Sequence, residues 1–221
     1  MALLVAGQDS LAVDFFLLVH DPFDSGRLTV SPEVLGCGLA GGKLADLVLS
    51  RRLRIDDDRV VADLDVAAPA DPIDDYVVEA VGSQKVAHPV HRWIEPLQDE
   101  LYAMISQRVL SLGILQRQDG GRRLGRGRLP DRFPAADLLA ANAPQQRLEQ
   151  MLRTPRELTL RVGMFAALLS ILGVDRALAA DVDRATVREI IAEIEENLPA
   201  DLRAVYDGVQ AATSQFALRH R

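Results

Sequence analysis

Apolar residues recur three and four residues apart along most of the chain, which is the spacing of one helix face. Residues 10–19 follow this pattern and predict a short first helix. Ser31-Pro32-Glu33 then offers an N-cap, a proline suited to the first helical position and an acid for the positive end of the dipole, so a second helix is predicted from there to about Ser50. The same spacing predicts six further helices, over residues 73–83, 90–112, 135–152, 157–172, 184–197 and 199–217.

Short alternating segments predict a few strands between these helices. Residues 27–30 read as a short strand, and residues 51–66 as a hairpin around an Asp-rich turn. A second hairpin is predicted over residues 113–134, with an Asp-Gly-Gly turn at its centre. The pattern contains no internal repeat, linker or clear domain boundary. The predicted fold class is therefore mainly α: a single compact helical domain over residues 1–221, decorated with short β-hairpins.

Glycines cluster inside the second predicted helix. The sequence GCGLAGG, residues 36–42, contains the G-x-G-x-x-G spacing of a dinucleotide-binding turn. That turn needs its glycines between a strand and a helix, whereas the helix start at Ser31 precedes them here. A P-loop is also excluded, because Leu44 stands where Ser or Thr should follow Lys43. We expect the glycines to allow close helix packing, with a small-molecule site on this face as the less favoured alternative.

The composition is that of a cytoplasmic globular protein. Of the 221 residues, 48% are hydrophobic but only 5% aromatic, so the core must consist mainly of Leu, Val, Ala and Ile. The lone Cys37 excludes an internal disulfide and suits a reducing cytosol. The apolar runs are too short to span a bilayer and the N-terminus lacks the basic region of a signal peptide, so membrane contact is expected to be peripheral. The preference for Arg over Lys is typical of a GC-rich bacterial genome.

Few residues have the spacing of a catalytic or metal site. His88 and His91 are three apart with Glu95 following, but Pro89 separates them and no third ligand lies close, so no metal is predicted. Cys37 is expected to be a small buried hydrophobe. Because no nucleophile–base or paired-carboxylate motif stands out, we predict neither an enzyme nor a bound cofactor.

The Arg-rich segment, residues 117–132, is the most polarised part of this acidic chain, whose net charge is −7. Its six arginines are at positions 117, 122, 123, 126, 128 and 132, against Asp119 and Asp131. Arginines interleaved with apolar residues on a projecting hairpin suit an anionic membrane surface. The residues predicted to contact lipid are Arg122, Arg123, Leu124, Arg126 and Arg128.

Three other interpretations of this segment stay open. It could bind nucleic-acid phosphates, although an acidic protein does not favour that partner. A winged helix-turn-helix also ends in a basic hairpin, but the helix before this one is mostly apolar and unsuited to the major groove. The segment could instead mediate self-association of a soluble scaffold or regulator, or form a plain solvated surface.

Three stretches of the chain resemble the Golgi phosphoprotein 3 family. They are FFLLVHDPFDSGRLTV (15–30), GLAGGKLADLVLSRRLRI (38–55), and PIDDYVVEAV followed by HRWIEPL and RVLSLGIL. The second stretch is the most specific, with its Gly-Leu-x-Gly start and basic-Leu ending. The resemblance implies a single, mainly helical, non-enzymatic domain that binds peripherally to membranes containing phosphatidylinositol 4-phosphate, with a hairpin that helps membrane contact and self-association.

The positions of the family's headgroup pocket carry different residues here. The family has an arginine at the position of Ala40, a tryptophan near Ser31 and two arginines in the turn 99–102. Arginine forks bind phosphate oxygens bidentately, so the resemblance implies weak or lost phosphoinositide binding. Lys43 and Arg51 are the basic residues expected in the headgroup vicinity. We therefore expect a cytoplasmic protein, peripheral on the inner face of a membrane, that binds anionic lipid through the Arg-rich segment.

Overall fold

The computed structural model describes residues 10–23, 25–66, 70–120, 131–154, 158–174 and 183–219. Eight helices and two small antiparallel sheets are seen in these residues, which confirms a mainly α fold with short hairpins. The helices are α1 (Leu11–Val19), α2 (Pro32–Leu49), α3 (Pro72–Gly82), α4 (His91–Ser111), α5 (Leu138–Arg153), α6 (Leu160–Ile171), α7 (Arg184–Glu196) and α8 (Ala200–Arg219). Each predicted helix is present, with its ends shifted by a few residues.

The strands are much shorter than the helices. In the first sheet β1 (His20–Asp21) pairs with β2 (Arg27–Leu28). In the second, the order is β3 (Leu53–Asp56), β4 (Arg59–Ala62) and β5 (His88–Pro89). The predicted hairpin over 51–66 is thus confirmed. The stretch between the predicted helices 73–83 and 90–112, for which no strand is predicted, contributes β5.

Helix α2 lies at the centre of the molecule. Every residue from Leu35 to Leu47 is buried, and α1, α4, α6 and α8 all contact this helix. A helix buried on all sides must be mostly apolar or small, with any charged side chain paired, which explains its glycines and alanines. Its start is as predicted: Ser31 Oγ accepts a hydrogen bond from Val34 N at 3.3 Å, and Pro32 follows the cap.

The glycines of α2 allow neighbouring helices to approach its backbone. A Cβ placed on Gly38 would lie 2.1 Å from the ring of Phe15 in α1, and one on Gly42 would lie 2.9 Å from the backbone nitrogen of Ala12. On another side, a Cβ on Gly41 would lie 2.5 Å from the side chain of Val209 in α8. The prediction of close helix packing is therefore confirmed.

Cys37 occupies the same crowded helix. It is 1% exposed, and burial raises the pKa of its thiol. This agrees with its predicted role as a small buried hydrophobe.

Candidate functional site

The two arms of the Arg-rich segment are joined at their base. Gln118 and Arg132 exchange backbone hydrogen bonds of 2.9 Å in each direction, as antiparallel strands do. The carboxylate of Asp131 accepts hydrogen bonds from Arg117 Nη2 at 2.5 Å and from the backbone nitrogen of Gly120 at 3.1 Å. Asp131, which appears in the sequence only as an opposing charge, thus joins one arm to the other.

The predicted lipid-contact residues, Arg122, Arg123, Leu124, Arg126 and Arg128, lie outside the described residues, so their role stays a prediction. The two described arginines of the segment have structural partners. Arg117 pairs with Asp131, which raises the pKa of this guanidinium, and Arg132 Nη1 donates to Ser25 Oγ at 2.6 Å. Gly120 and Asp131, which flank the stretch 121–130, are hydrogen-bonded to each other.

The return arm of the segment is anchored in the core. Phe133 is 2% exposed, and its backbone nitrogen donates to the carbonyl of Gly26 at 2.9 Å. Gly26 has a φ of 66°, and a Cβ there would lie 1.9 Å from the backbone of Phe133, so only glycine fits this contact. The ring of Phe133 lies 5.3 Å from that of Phe16 and 5.0 Å from that of His20.

His20 is the buried polar member of this aromatic cluster. Its ring is 2% exposed, and Nδ1 lies 2.7 Å from the carbonyl oxygen of Phe16. Burial lowers the pKa of His20 to about 4, so the imidazole is neutral near pH 7. Nδ1 must then carry the proton, because the carbonyl of Phe16 can only accept.

A groove lies between the start of α2 and the middle of α4, where the family resemblance places the headgroup pocket. Its cavity volume is about 360 Å³. The residues that line it are His20, Leu28, Pro32, Glu33, Leu35, Gly36, Gln98, Asp99, Tyr102 and Asp131. The structure thus brings the helix start after Ser31 together with the turn 99–102, while Ala40 is fully buried elsewhere in α2.

The charge of this groove is unsuited to a phosphate. Glu33, Asp99 and Asp131 line it, and no lysine or arginine is among its described lining residues. A phosphate placed there would meet carboxylates rather than the guanidinium forks that bind it bidentately. Tyr102 at its wall has a raised pKa, caused first by burial and then by the charge of Asp131.

Lys43 and Arg51, predicted to lie near a headgroup, are not among the residues that line this groove. Lys43 is 3% exposed, and its Nζ lies 2.7 Å from Asp74 Oδ1 and 3.8 Å from Asp46 Oδ2. Arg51 is exposed just after the end of α2, with a φ of 61°. Their contribution to headgroup binding remains a prediction.

Asp46 is the centre of the buried ion network that holds Lys43. Its carboxylate also accepts from Ser10 Oγ at 2.7 Å, from the backbone nitrogen of Leu11 at 3.2 Å and from the guanidinium of Arg161. The network therefore joins the start of α1 to α2, α3 and α6. The sequence hints at it only through the i, i+3 spacing of Lys43 and Asp46, since the other partners are distant along the chain.

The histidine pair singled out in the sequence lies where β5 meets the start of α4. The ring of His88 packs edge-on against Trp93, with centroids 6.2 Å apart. No group of three or more His, Cys, Asp or Glu residues with metal-binding geometry occurs among the described residues. In the same residues, no helix has the length and apolarity needed to cross a membrane.

Comparison with known proteins identifies the family. No curated protein matches the chain significantly. The sequence model of Golgi phosphoprotein 3 (GPP34) matches residues 11–212, from the first residue of α1 into α8. This match spans most of the chain and includes all three stretches on which the resemblance was based. The protein therefore belongs to the Golgi phosphoprotein 3 family.

Proposed function

We propose that this protein is a peripheral membrane protein that binds anionic lipid surfaces through its Arg-rich segment, by charge and without preference for phosphatidylinositol 4-phosphate. The observation that carries the proposal is the concentration of positive charge in one segment. Six of the 25 basic residues fall within residues 117–132 of a chain whose net charge is −7. The family membership supports the membrane as the partner.

The fixed base of the segment supports the same proposal. Asp131 joins the two arms, and Arg117 and Arg132 are bound at the base. We therefore assign lipid contact to the other four arginines of the segment, Arg122, Arg123, Arg126 and Arg128. All four belong to the stretch between Gly120 and Asp131, whose ends lie together.

The groove between α2 and α4 supports charge-based binding over headgroup recognition. Its carboxylates, Glu33, Asp99 and Asp131, oppose a phosphate, and the family's headgroup arginine is Ala40 here. The affinity should therefore follow the charge density of the surface rather than the identity of the lipid. The family is not known for enzymatic activity, and the proposed role needs none.

The expected strength follows from the number of arginines assigned to lipid contact. Each basic residue near an anionic membrane contributes about 1 kcal/mol, so four of them contribute about 4 kcal/mol, or roughly a thousandfold in partitioning. This contribution falls as salt shortens the Debye length. Binding should therefore be strong at low salt and much weaker at physiological salt.

Substitution of the four arginines tests the proposal. We expect a variant with Arg122, Arg123, Arg126 and Arg128 changed to Gln to lose co-sedimentation with phosphatidylserine vesicles at low salt. A matched control changes four exposed arginines elsewhere, Arg54, Arg92, Arg184 and Arg188, to Gln, so that the net charge falls equally. The control should bind almost as well as the wild type. Equal loss in both variants would refute a local role for the segment.

A further inference from the structure

Three large apolar side chains are exposed beside the base of the Arg-rich segment. Phe23 is 75% exposed, Leu138 is 53% exposed and Leu139 is 72% exposed. Phe23 lies in the turn between β1 and β2, and the two leucines are the first residues of α5. Large apolar side chains are normally buried, and several exposed ones in the same region mark a surface that contacts something else.

The two elements that carry the three side chains line one cavity, and we call Phe23, Leu138 and Leu139 the apolar patch. Phe23 lines a cavity of about 460 Å³ together with Ala141 and Asn142 of α5. Residues three and four apart share a helix face, and Leu138 precedes Ala141 by three positions and Asn142 by four. Leu139 likewise precedes Asn142 by three. Both leucines therefore lie one helical turn from the residues that face Phe23 across the cavity.

Both elements that carry the patch are bonded to the Arg-rich arms or to the chain just before them. The turn that holds Phe23 continues into Ser25 and Gly26, which accept hydrogen bonds from Arg132 and Phe133 of the return arm. The residues just before α5 bond to Ile114, three residues before the outgoing arm begins. The backbone nitrogens of residues 136 and 137 donate to the carbonyl of Ile114 at 2.9 and 3.1 Å. The apolar patch and the entry to the arginines are thus parts of one surface.

Two carboxylates near the patch fix its backbone. Asp21 Oδ1 accepts from the backbone nitrogen of Phe23 at 2.8 Å. Asp137 Oδ1 accepts from the backbone nitrogens of Leu139 and Ala140 at 3.0 and 3.1 Å. Asp21 therefore fixes the backbone of Phe23, and Asp137 fixes the backbone of Leu139.

We infer that Phe23, Leu138 and Leu139 insert into the interfacial region of the bilayer once the Arg-rich segment has bound it. This inference rests on the proposed function. A membrane suits the patch better than a protein partner. Three side chains of up to about 200 Å² each can bury no more than about 600 Å². A stable protein–protein interface buries about 800 Å² on each partner. The Arg-rich segment, whose base is bonded to the turn that holds Phe23, supplies the positive charge that directs this surface to anionic lipid.

Serine substitutions test the insertion. We expect the triple variant Phe23→Ser, Leu138→Ser, Leu139→Ser to partition at least tenfold more weakly into phosphatidylserine vesicles at physiological salt, where charge alone is weak. At low salt it should still bind, since its arginines are intact. The matched control replaces three exposed apolar residues elsewhere, Leu64, Val86 and Leu218, which are 74%, 59% and 71% exposed. The control should bind as the wild type does.

A fluorescent label gives a second readout that does not depend on affinity. Cys37 is the only cysteine and is buried, so a Cys37→Ala chain can carry one label at Leu139→Cys or, as a control, at Ser83→Cys beyond α3. An environment-sensitive dye at position 139 should shift to the blue with phosphatidylserine vesicles, and a dye at position 83 should not. If the wild type binds but neither the serine variant nor the dye responds, insertion is wrong and the proposed function stands. If the wild type binds no vesicle at any salt, both fail.

Discussion

Arg117 and Asp131 face each other across the base of the Arg-rich segment, with Nη2 of the guanidinium 2.5 Å from Oδ2 of the carboxylate. The same carboxylate accepts a hydrogen bond from the backbone nitrogen of Gly120, so this one side chain of the return arm binds the outgoing arm at two residues. The pair lies at the surface, and its effect on global stability should be small. Its role is local: it holds the two ends of the arginine stretch together.

Replacing Asp131 with Ala should therefore loosen the base without unfolding the protein. The backbone amides of Gln118, Gly120 and Arg132 should exchange with solvent at least several-fold faster, because their shared anchor is gone. Hydrogen exchange read by mass spectrometry measures this effect. Asp119→Ala is the control, since Asp119 is 78% exposed and 3.6 Å from Arg117 Nε. Unchanged exchange in the Asp131 variant would contradict its assigned role.

Asp46 is expected to be among the most sensitive positions for stability. Removing one partner from a buried ion network leaves the other charges uncompensated and costs about 3–5 kcal/mol. Asp46→Ala should lower the free energy of unfolding by about that amount in urea titrations, because Lys43 and Arg161 lose a buried partner and the start of α1 loses its acceptor. Asp56→Ala, which breaks an exposed pair with Arg54, should cost less than about 1 kcal/mol.

Gly38→Ala tests whether the glycines of α2 serve packing. The new methyl would collide with the buried ring of Phe15, and overpacking of this kind costs about 1–3 kcal/mol. Gly82→Ala, at the end of α3, meets its nearest atom at 3.6 Å and should be neutral or stabilise by up to about 1 kcal/mol. Thermal and urea unfolding of the two variants would show the contrast. A stabilised Gly38 variant would mean that α1 does not pack as closely as the structure indicates.

The buried His20 should make the protein less stable in mild acid. Its pKa is about 4 in the folded protein against 6.5 ordinarily, so between these values the unfolded chain binds more protons. Stability therefore falls as pH drops through this window, by about 2 kcal/mol between pH 7.5 and pH 5. His20→Phe keeps the aromatic packing and should make the free energy of unfolding nearly independent of pH in this window. Urea unfolding midpoints of both proteins at pH 7.5 and pH 5 measure this effect. An equal slope in both proteins would exclude His20 as the cause.

Local signals in the sequence were sufficient to predict the helices. Caps such as Ser31, and the spacing of apolar residues after them, depend only on neighbours a few positions away. The contacts made by α2 could not be predicted in the same way. That Gly38 meets Phe15 while Gly41 meets Val209 depends on where α1 and α8 pack, which no local pattern encodes.

The candidate sites show the same division between local and distant information. The arginine cluster is visible because its members are contiguous, and the resemblance located the groove near Ser31 and the turn 99–102. The acidic lining of that groove could not be foreseen, because Glu33, Asp99 and Asp131 come from three separate segments. The patch of Phe23 and the two leucines was missed for the same reason: β1–β2 and α5 meet only in the folded chain.

Co-sedimentation of the wild-type protein at matched surface charge tests the central claim most directly. Vesicles of neutral phosphatidylcholine would be compared with vesicles containing phosphatidylserine or phosphatidylinositol 4-phosphate at equal charge density, at low and at physiological salt. We predict equal binding to the two anionic surfaces, a steep loss with salt and no binding to the neutral one. A clear preference for phosphatidylinositol 4-phosphate at equal charge would contradict the account, because it would require a phosphate pocket where the structure places carboxylates.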